Sequence, residues 1–473
     1  MEEQTTFLGD MPVYNEAAIG IDVHSDLLCA CVLKKGSDGQ WTKVRQDFSS
    51  DIDSILSLVS WSKIHDPDVI IMESTSVYWM SPYDALDAAG LPVAVVNPAF
   101  VKGMRGRKTD HEDAAWLAQI GVNGSYRPSF IPSAEFRHLR AECRLVTKQS
   151  QELGTIKNRE TKFFDTAGFR LGTVFSDQFG QTAMAAKSAI LEGKPPEEVL
   201  EAIRPLHGFK RLKKGDDELL KAFQGKLTPS IKRSIESNRL DFEHFKSQVE
   251  KGKKELINTI KNLEPKNFRF LQTIPGISEW AACVILIEIG GGEKFGKAFR
   301  NPEHFASWLG ICPGNTDSNG KRVGKKSRHG NAALRRILCE VAQAAVKCKG
   351  TTFKSKFQSL IVRLGYKRSI VAIAHKIAKV IHCLIVRQTV YKDPHTDYQA
   401  ISSKKNAPRW IKQLSQDYEY KIVNRKTGRV YDSEVIRKQQ RFESLYECKK
   451  KLAEIDAQCV STDKPSNQGR VES

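Results

Sequence analysis

An aspartate in the middle of an apolar, β-branched run restricts the fold more than any other feature of this sequence. The run 18–24 is typical of a β-strand with Asp22 inside it, and the run 27–33 is typical of its hairpin partner. Two more short apolar runs, 67–73 and 91–97, follow between helical patterns. Near-continuous apolar strands that alternate with helices predict an α/β sheet covered by helices.

Three further acids are placed where they can join Asp22. Glu73 ends a later apolar strand, and Asp110 and Asp113 stand three residues apart at the start of a predicted helix, 111–121, so they can share one face of it. Strand ends and a helix start can meet at one edge of a sheet. Four carboxylates there would repel one another unless cations neutralise them, and Mg²⁺ or Mn²⁺ is the expected ion. Two such ions about 3.5–4 Å apart can activate a nucleophile and stabilise the leaving oxygen of a phosphodiester.

Each of these acids alone also has a structural interpretation. Asp110 and Asp113 are typical of a helix N-cap and first turn, where acids are favoured electrostatically. Glu112 is a rival for either position, and Asp26 is a rival for Asp22. The joint pattern is more specific than any single acid, because it combines an acid inside the first strand, an acid ending a later strand and Asp-x-x-Asp after a basic loop.

Basic, aromatic and histidine side chains flank the acids. Tyr78 and Trp79 follow Glu73 and could stack on a base or a sugar, although aromatics that pack on a sheet are commoner. His24 and His111 are more typical of local hydrogen bonding than of metal ligation. The loop before the predicted helix carries four cations that form a candidate nucleic-acid contact: Lys102, Arg105, Arg107 and Lys108.

The charge balance points to a polyanionic partner, which means nucleic acid or an anionic membrane surface. The chain has 473 residues, with 74 Lys and Arg against 55 Asp and Glu. Residues 1–113 carry a net charge of −9 and the remainder +28, which fits carboxylates for metal ions in one domain and phosphate contacts in the others. No signal peptide, apolar run of membrane-spanning length or Cys-x-x-Cys pair is found. A cytoplasmic protein without a membrane span is therefore expected.

Two long helices are predicted in the middle of the chain. From about residue 134, apolar residues recur at spacings of three and four, and residues 228–263 continue the pattern. The seam begins with Phe136, Leu139, Cys143 and Val146. The stretch 164–227 between the two helices is mixed and basic. An antiparallel helical bundle and a helical arm used for dimerisation or RNA contact both fit, and the arm is favoured.

The C-terminal part is predicted to be mainly helical. Pro275-Gly276-Ile277 stands between predicted helices 254–263 and 278–289, as in a helix-hairpin-helix whose amides hold a DNA phosphate, although a plain Pro-Gly turn fits as well. The loop 313–330 is rich in Gly and Lys. Two more helices are predicted after it: 331–348 and one near 367–387. Beyond about 395 the chain is polar and basic, and its end is typical of a disordered tail.

With these residues the sequence resembles the DEDD transposases of the insertion-sequence-110 family, which include the Piv-type DNA invertases. The resemblance covers about 18–125 and 270–390. In the first part it rests on Ile-Gly-Ile-Asp-Val-His at 19–24, Met-Glu-Ser-Thr at 72–75, Val-Asn-Pro at 96–98 and Lys-Thr-Asp-His-Glu-Asp-Ala at 108–114. In the second part it rests on Thr-Ile-Pro-Gly-Ile at 273–277, Ala-Ser-Trp-Leu-Gly at 306–310 and the stretch 313–336, with Ser-Asn-Gly-Lys at 318–321.

The resemblance implies a RuvC-like, ribonuclease-H-type fold for the first domain. Its catalytic, metal-binding acids map onto Asp22, Glu73, Asp110 and Asp113. The resemblance also implies that Ser318 attacks DNA as the nucleophile, and that a non-coding bridge RNA pairs with target and donor DNA. Asn319 replaces a glycine that the family has after this serine, and Asn tolerates the left-handed backbone better than most residues. Ser307 and Ser327 are rivals with less motif support.

The loop around Ser318 is cationic. Residues 313–336 carry seven Lys and Arg against one acid, Asp317, so they could hold a phosphate chain near the serine. A solvated basic loop is the alternative, and for any single Lys it is the better one. The candidate contacts in this loop are Lys321, Arg322, Lys325, Lys326 and Arg328.

Five parts are predicted along the chain. They are a disordered leader at 1–16, a RuvC-like catalytic domain at 17–133, a helical coiled-coil-like arm at 134–265, a C-terminal transposase domain with the serine loop at 266–394, and a basic extension with a disordered tail at 395–473.

The leading hypothesis is a site-directed DNA recombinase, the transposase of an insertion sequence, which cleaves and rejoins DNA strands. The alternative is a RuvC-like, structure-selective endonuclease of Holliday-junction type that uses water as the nucleophile. A non-catalytic nucleic-acid-binding protein is a third class, against which the intact set of acids argues. Because the acids and Ser318 stand on separate domains, a homo-oligomer, a dimer or a tetramer, is expected. The expected partners are DNA and a bridge RNA.

Overall fold

A computed structural model of the chain describes residues 3–4, 13–74, 76–98, 110–312, 317–318, 321–322, 330–417, 422–423, 428 and 430–431. The chain divides into two compact units. The first runs to Asn258 and includes Leu286–Ala298, and the second comprises Thr259–Ile285 and the residues from Phe299 onward. The five-part organisation drawn from the sequence stays a prediction.

A mixed β-sheet forms the centre of the first unit. Its strands are β1 (Glu3–Gln4), β2 (Ala17–Val23), β3 (Leu27–Lys35), β4 (Trp41–Ser49), β5 (Val69–Glu73) and β6 (Val93–Val96). Their order is β1-β4-β3-β2-β5-β6. The pairs β1–β4, β4–β3 and β3–β2 are antiparallel. In contrast, β5 runs parallel to β2, and β6 runs parallel to β5.

Helices cover both faces of this sheet. On one face, Ile19, Ile21 and Met72 pack in one buried cluster with residues of α1 (Ile52–His65) and α2 (Met80–Ala88). On the other face, a second cluster joins the alternate strand residues Ala18, Val69 and Ile71 to Leu117, Ala118 and Val122 of α3 (Asp110–Val122). The layered arrangement confirms the α/β fold class predicted for the N-terminal domain.

The remaining helices follow along the chain. They are α4 (Ala134–Thr166), α5 (Gln181–Leu191), α6 (Pro196–Ile203), α7 (Asp216–Ala222), α8 (Pro229–Leu263), α9 (Pro265–Gln272), α10 (Glu279–Ile289), α11 (Phe295–Ala298), α12 (Pro302–Trp308), α13 (Ala332–Ala345), α14 (Thr352–Arg387) and α15 (Tyr398–Asp417). Short antiparallel pairs join β7 (Asp317–Ser318) to β8 (Lys321–Arg322) and β9 (Ile422–Val423) to β10 (Val430–Tyr431).

The two long helices of the first unit, α4 and α8, form an antiparallel pair. Val146 of α4 lies against Gly252 of α8, where a Cβ would come within 2.6 Å of the valine. Further along, Asn238 Nδ2 donates a hydrogen bond to the Ile156 carbonyl at 3.1 Å. Residue numbers rise along one helix as they fall along the other. The predicted seam is therefore covered within the chain itself, and its use as an arm for dimerisation or RNA contact stays a prediction.

A buried carboxylate ties α4 to the end of α10 in the first unit. Glu288 is fully buried, and Arg144 donates to both of its oxygens, from Nε and Nη2, at 3.0 Å each. Arg140 donates to the Glu288 carbonyl. Burial next to this carboxylate raises the pKa of the Cys143 thiol to about 12. A paired, fully hydrogen-bonded charge of this kind is tolerated in the interior, whereas a single unpaired charge would not be.

The insert between α4 and α8 has a core of its own. Phe164, Phe175 and Ile190 pack with Val199 and Ile203 in one buried cluster. Fully buried Lys187 and Glu160 form an ion pair at 3.1 Å beside that cluster. The mixed, basic stretch 164–227 is thus a compact helical element.

Two helical predictions in the second unit need correction. The helix before the Pro-Gly turn is α9, which starts at Pro265, and not the predicted 254–263. Proline cannot continue a helix but fits its first turn, so α8 ends at Leu263 and α9 begins two residues later. The helix predicted near 367–387 is the second half of α14, which starts at Thr352 and has a non-helical residue, Gly365, at φ 72°.

Among the described residues, α14 alone is long and apolar enough by composition to cross a membrane, and 56% of its most apolar window is buried inside the protein. Helices in the core of a protein can be equally long and apolar without crossing a membrane.

Parts of the predicted disordered leader make defined contacts. Glu3 and Gln4 pair with β4. Asn15 Nδ2 donates to the Gly121 carbonyl at 2.7 Å, and the Glu16 amide donates to Asp68 Oδ2 at 2.8 Å. The other leader residues up to position 12, and the tail after position 431, lie outside the described residues.

Candidate active site

Asp22 and Glu73 lie side by side at the carboxyl edge of the sheet. The parallel register of β2 and β5 pairs Ile21 with Met72, and each acid is the next residue after that pair. Residues at the same level of neighbouring parallel strands point to the same face. Asp22 is 7% exposed and Glu73 is half-buried, so the pair stands partly withdrawn from solvent.

Both acids point to the face that α3 covers. Ile21 and Met72 belong to the cluster on the opposite face, and side chains alternate along a strand. Gly20, two residues before Asp22, touches α3 directly. A Cβ at Gly20 would lie 2.0 Å from the Ala114 carbonyl oxygen and 2.3 Å from the Ala118 amide. Only glycine permits this approach of helix to strand.

The direction of α3 brings its first turn to the acids. Near its start, Ala114 packs over Gly20, and near its end, Gly121 lies against Ala18. The helix therefore runs from the carboxyl end of β2 towards the amino end. Asp113, one residue before Ala114, is exposed at the end of the sheet where Asp22 and Glu73 lie. The first turn of α3, with Asp113 in it, therefore lies at the same edge of the sheet as the strand acids.

The full set of four acids stays a prediction. Asp110 is the first residue of α3, but its side chain and that of His111 lie outside the described residues. Across the side chains that the structure describes, no three His, Cys, Asp or Glu are grouped closely enough to hold a metal ion. The rivals Asp26 and Glu112 are exposed, Asp26 in the turn after β2 and Glu112 in the first turn of α3.

The groups that flank the acids divide between packing and polar contact. His24 Nε2 lies 3.1 Å from Asp22 Oδ2, a local hydrogen bond as expected from the sequence. Trp79 is 8% exposed and packs edge-on against Tyr83, with ring centroids 5.7 Å apart, which is the sheet-packing role. Tyr78 is 44% exposed. Lys102, Arg105, Arg107 and Lys108 lie outside the described residues.

Ser318 lies in a tight hairpin. It pairs with Lys321, while Asp317 pairs with Arg322. The two residues that connect the paired strands are Asn319 and Gly320, the sequence that two-residue hairpins favour. Lys325, Lys326 and Arg328 lie outside the described residues, as do the side chains of the hairpin.

The two ends of the loop that carries Ser318 are held together. Gly330 lies so close to the turn after α12 that a Cβ would be 2.4 Å from the Gly310 amide and from the Leu309 carbonyl carbon. The next residue, Asn331, caps α13 by accepting a hydrogen bond from the Leu334 amide at 3.0 Å. Gly330-Asn331 thus closes the loop and starts a helix, a structural role that the sequence motif did not reveal.

The Pro-Gly turn is a packing contact of the second unit. Gly276 has φ +90°, and a Cβ there would lie 2.6 Å from the Ala345 amide and 2.8 Å from the Val341 carbonyl of α13. Glycine is required both by the left-handed conformation and by the close approach. The structural interpretation of this turn is sufficient, and its role in holding a DNA phosphate stays a prediction.

Two family models match the chain. A DEDD transposase model of IS110 elements matches residues 19–168, and a model described as the transposase IS116/IS110/IS902 family matches residues 268–358. Together they cover more than half of the chain. They begin within two residues of the two stretches of resemblance found in the sequence, at 18 and 270, but end at 168 and 358 instead of 125 and 390.

Individual proteins resemble the chain over most of its length. A probable family 20 transposase of Pseudomonas aeruginosa is 23% identical over 79% of this chain and 94% of its own. The transposase for insertion sequence element IS1111A of Coxiella burnetii is 23% identical over 79% of this chain and 91% of its own. The Thermus thermophilus RuvC structure aligns with 24% of this chain and 99% of its own at 15% identity, with a TM-score of 0.20. This chain belongs to the IS110 family of transposases, enzymes that catalyse DNA strand transfer.

Proposed function

We propose that this chain is a site-directed DNA recombinase that moves its own insertion sequence. In this proposal the metal-binding catalytic acids are Asp22, Glu73, Asp110 and Asp113, and the nucleophile is Ser318. One observation carries it. Two acids on neighbouring parallel strands share one face and one edge of the sheet, and the start of the Asp-x-x-Asp helix reaches that same edge.

The acids fit a divalent cation. Carboxylate oxygens are the ligands that Mg²⁺ and Mn²⁺ prefer, and Asp22 and Glu73 supply them from adjacent, partly buried positions. Neighbouring carboxylates in a half-buried site repel one another, and a cation relieves that repulsion. A bound ion would polarise the scissile phosphate and favour deprotonation of the attacking hydroxyl.

The serine supplies the nucleophile in the second unit. A serine hydroxyl is weak until its proton is removed. On attack, the Oγ–P bond forms, the P–O bond to the leaving sugar breaks, and the leaving oxygen takes up a proton. Lys321 and Arg322, on the strand paired with Ser318, can balance charge that develops on the phosphate oxygens. The phosphoserine link keeps the phosphodiester energy, so strands can be rejoined without ATP.

The proposed partners are DNA, a guiding bridge RNA and further copies of the chain. The proposed compartment is the cytoplasm, and no membrane partner is proposed. The net charge of +28 beyond residue 113 supports nucleic-acid contacts. The acids and Ser318 belong to different units of the chain, which supports an active dimer or tetramer in which one protomer's serine meets another's acids. Light scattering of the nucleic-acid complex checks this, and a strictly monomeric active species would contradict it.

The metal site is tested by one conservative substitution. Asp22→Asn should abolish strand cleavage while nucleic-acid binding stays at the wild-type level, because the amide keeps the shape but loses the charge. The matched control is Asp26→Asn, which changes the exposed rival in the next turn and should cleave normally. Full cleavage by Asp22→Asn, or undiminished cleavage by the wild type in EDTA, would contradict the proposal.

A further inference from the structure

A strongly basic groove runs along α14 in the second unit. Its volume is about 1330 Å³, and nine Lys and Arg side chains line it without any Asp or Glu. The cations nearest the kink of α14 are Arg363, Lys367 and Arg368, and all three are exposed. Within the described part of the chain none of the three forms an ion pair. A surface with this charge attracts a polyanion.

Apolar side chains also line the groove. Leu360, Leu364, Val371 and Val380 line it between the cations. A duplex keeps the faces of its bases stacked inside the helix, whereas an unpaired strand presents flat base faces that can bury against apolar and aromatic side chains. A groove lined by both cations and apolar side chains therefore fits a single strand better than a duplex.

An aromatic ring organises two of the cations. The Nζ atoms of Lys356 and Lys376 lie 4.3 Å and 4.5 Å from the centroid of the Tyr398 ring. Lys376 Nζ also donates a hydrogen bond to the Tyr398 hydroxyl at 2.8 Å. The ring holds both ammonium groups in place, which lowers the entropy lost when they bind phosphates.

One end of the groove adjoins the serine loop. Ile311 and Cys312, just before that loop, and Arg335, just after it, all line the groove. Ser318 is six residues beyond Cys312, a reach of at most about 20 Å along the chain. A strand held in the groove would therefore pass within about 20 Å of the serine.

We infer that this groove binds the unpaired DNA strand that is presented to Ser318. The inference rests on the proposed function for the choice of DNA, but it concerns a different surface from the acidic site and the serine loop. Its residues contact phosphates and bases and take no part in the bond-making step. Binding can therefore be measured in a Ser318→Ala background, independently of catalysis.

The test compares two triple variants of the full chain that remove the same charge. One is Arg363→Gln, Lys367→Gln and Arg368→Gln in the groove. The control is Lys266→Gln, Lys347→Gln and Lys349→Gln, three exposed lysines outside it. The probe is a labelled single-stranded DNA of about 16 nucleotides, the upper site size of one single-strand-binding module. Fluorescence anisotropy is recorded over a range of salt concentrations.

The groove variant should bind the single strand at least about tenfold more weakly. Its slope of log affinity against log salt should fall by about 2, since each lost phosphate contact removes about 0.7 on single strands. The control should bind as the wild type does, and both variants should melt at the wild-type temperature. Equal weakening of the two variants would overturn the inference, because it would show a diffuse charge effect.

Three further arms separate other occupants. A duplex of the same sequence should lose less affinity than the single strand, and equal losses would overturn the single-strand assignment. A single-stranded RNA of the same sequence that loses more affinity than DNA would assign the groove to RNA instead. Vesicles of phosphatidylcholine and phosphatidylglycerol should not bind through the groove. If the groove variant alone loses vesicle binding, the groove is assigned to a membrane surface instead. If the chain that keeps Ser318 forms no adduct with DNA, but the groove variant still loses single-strand binding, the groove is upheld and Ser318 is rejected as the nucleophile.

Discussion

Gly20→Ala tests most directly whether α3 packs against β2 as the structure shows. The new Cβ would lie 2.0 Å from one backbone atom of α3 and 2.3 Å from another, whereas ordinary contact needs at least 3.4 Å. Backbone cannot turn aside as a side chain can, so α3 must move away by about 1 Å or more. Overpacking of this kind destabilises a core by about 1–3 kcal/mol, and a shift of about 1 Å at catalytic groups can lower activity about 100-fold.

Thermal unfolding and strand-cleavage rate are measured on Gly20→Ala and on two graded controls. In Gly121→Ala the new Cβ would meet only side-chain atoms, at 3.0–3.2 Å, so a milder loss of both quantities is expected. In Gly154→Ala nothing lies within 4 Å, and stability should equal or exceed that of the wild type because alanine favours helix. If Gly20→Ala melts and cleaves like the wild type, α3 does not pack on β2 and the argument that unites the acids fails.

Three more predictions concern other parts of the molecule. Glu288→Ala should lower the free energy of unfolding by about 3–5 kcal/mol in urea titrations, because it leaves the largely buried Arg140, whose Nε lies 3.7 Å from the carboxylate, without a counter-charge, and an unchanged midpoint would contradict that pairing. Gly330→Ala should slow strand cleavage far more than it weakens DNA binding, because it forces apart the ends of the serine loop, and equal effects on both would contradict that role. Hydrogen bonds from the Ser54 amide and hydroxyl lower the pKa of Asp51 to about 2. Its cap therefore stabilises α1 above about pH 4 and loses that contribution as the pH falls through about 2. A carboxyl titration by NMR with a midpoint near 4 would contradict this.

The strands that carry the acids could be predicted because their sequences are apolar and β-branched. β4 could not, since it carries Lys43, Arg45 and Asp47 and only Phe48 of its residues is buried. Its place in the sheet depends on pairing with β3 and not on a pattern of its own. Tertiary pairing of this kind overrides local propensity.

The helix that precedes the Pro-Gly turn differs from the prediction. Pro265 ends α8 and starts α9, a boundary that the sequence contains in its proline but that the prediction 254–263 does not use. The helix α15 lies in a stretch whose polar, basic composition was interpreted as an extension. Its polar composition does not predict a helix, because α15 is stabilised by contacts with α14.

At the candidate site, the meeting of Asp22 and Glu73 follows from a general property of parallel strands, so the sequence could predict it. The contacts of Gly20 and Gly330 could not be predicted. Each glycine marks an approach of two backbones that are distant in sequence, and nothing in a single chain records which glycine is needed for space. These contacts fix where α3 begins and where the serine loop closes.

In the proposed mechanism, Ser318 attacks DNA with the help of the acids around Asp22. The most direct measurement is to denature a strand-transfer reaction and map any protein–DNA link by mass spectrometry. A phosphoserine at position 318 is predicted for the wild type, with none in Ser318→Ala or Asp22→Asn, although both variants still bind DNA. Hydrolysed ends without any adduct would indicate the alternative, an endonuclease that uses water. Recombination by Ser318→Ala at the wild-type rate would contradict the account.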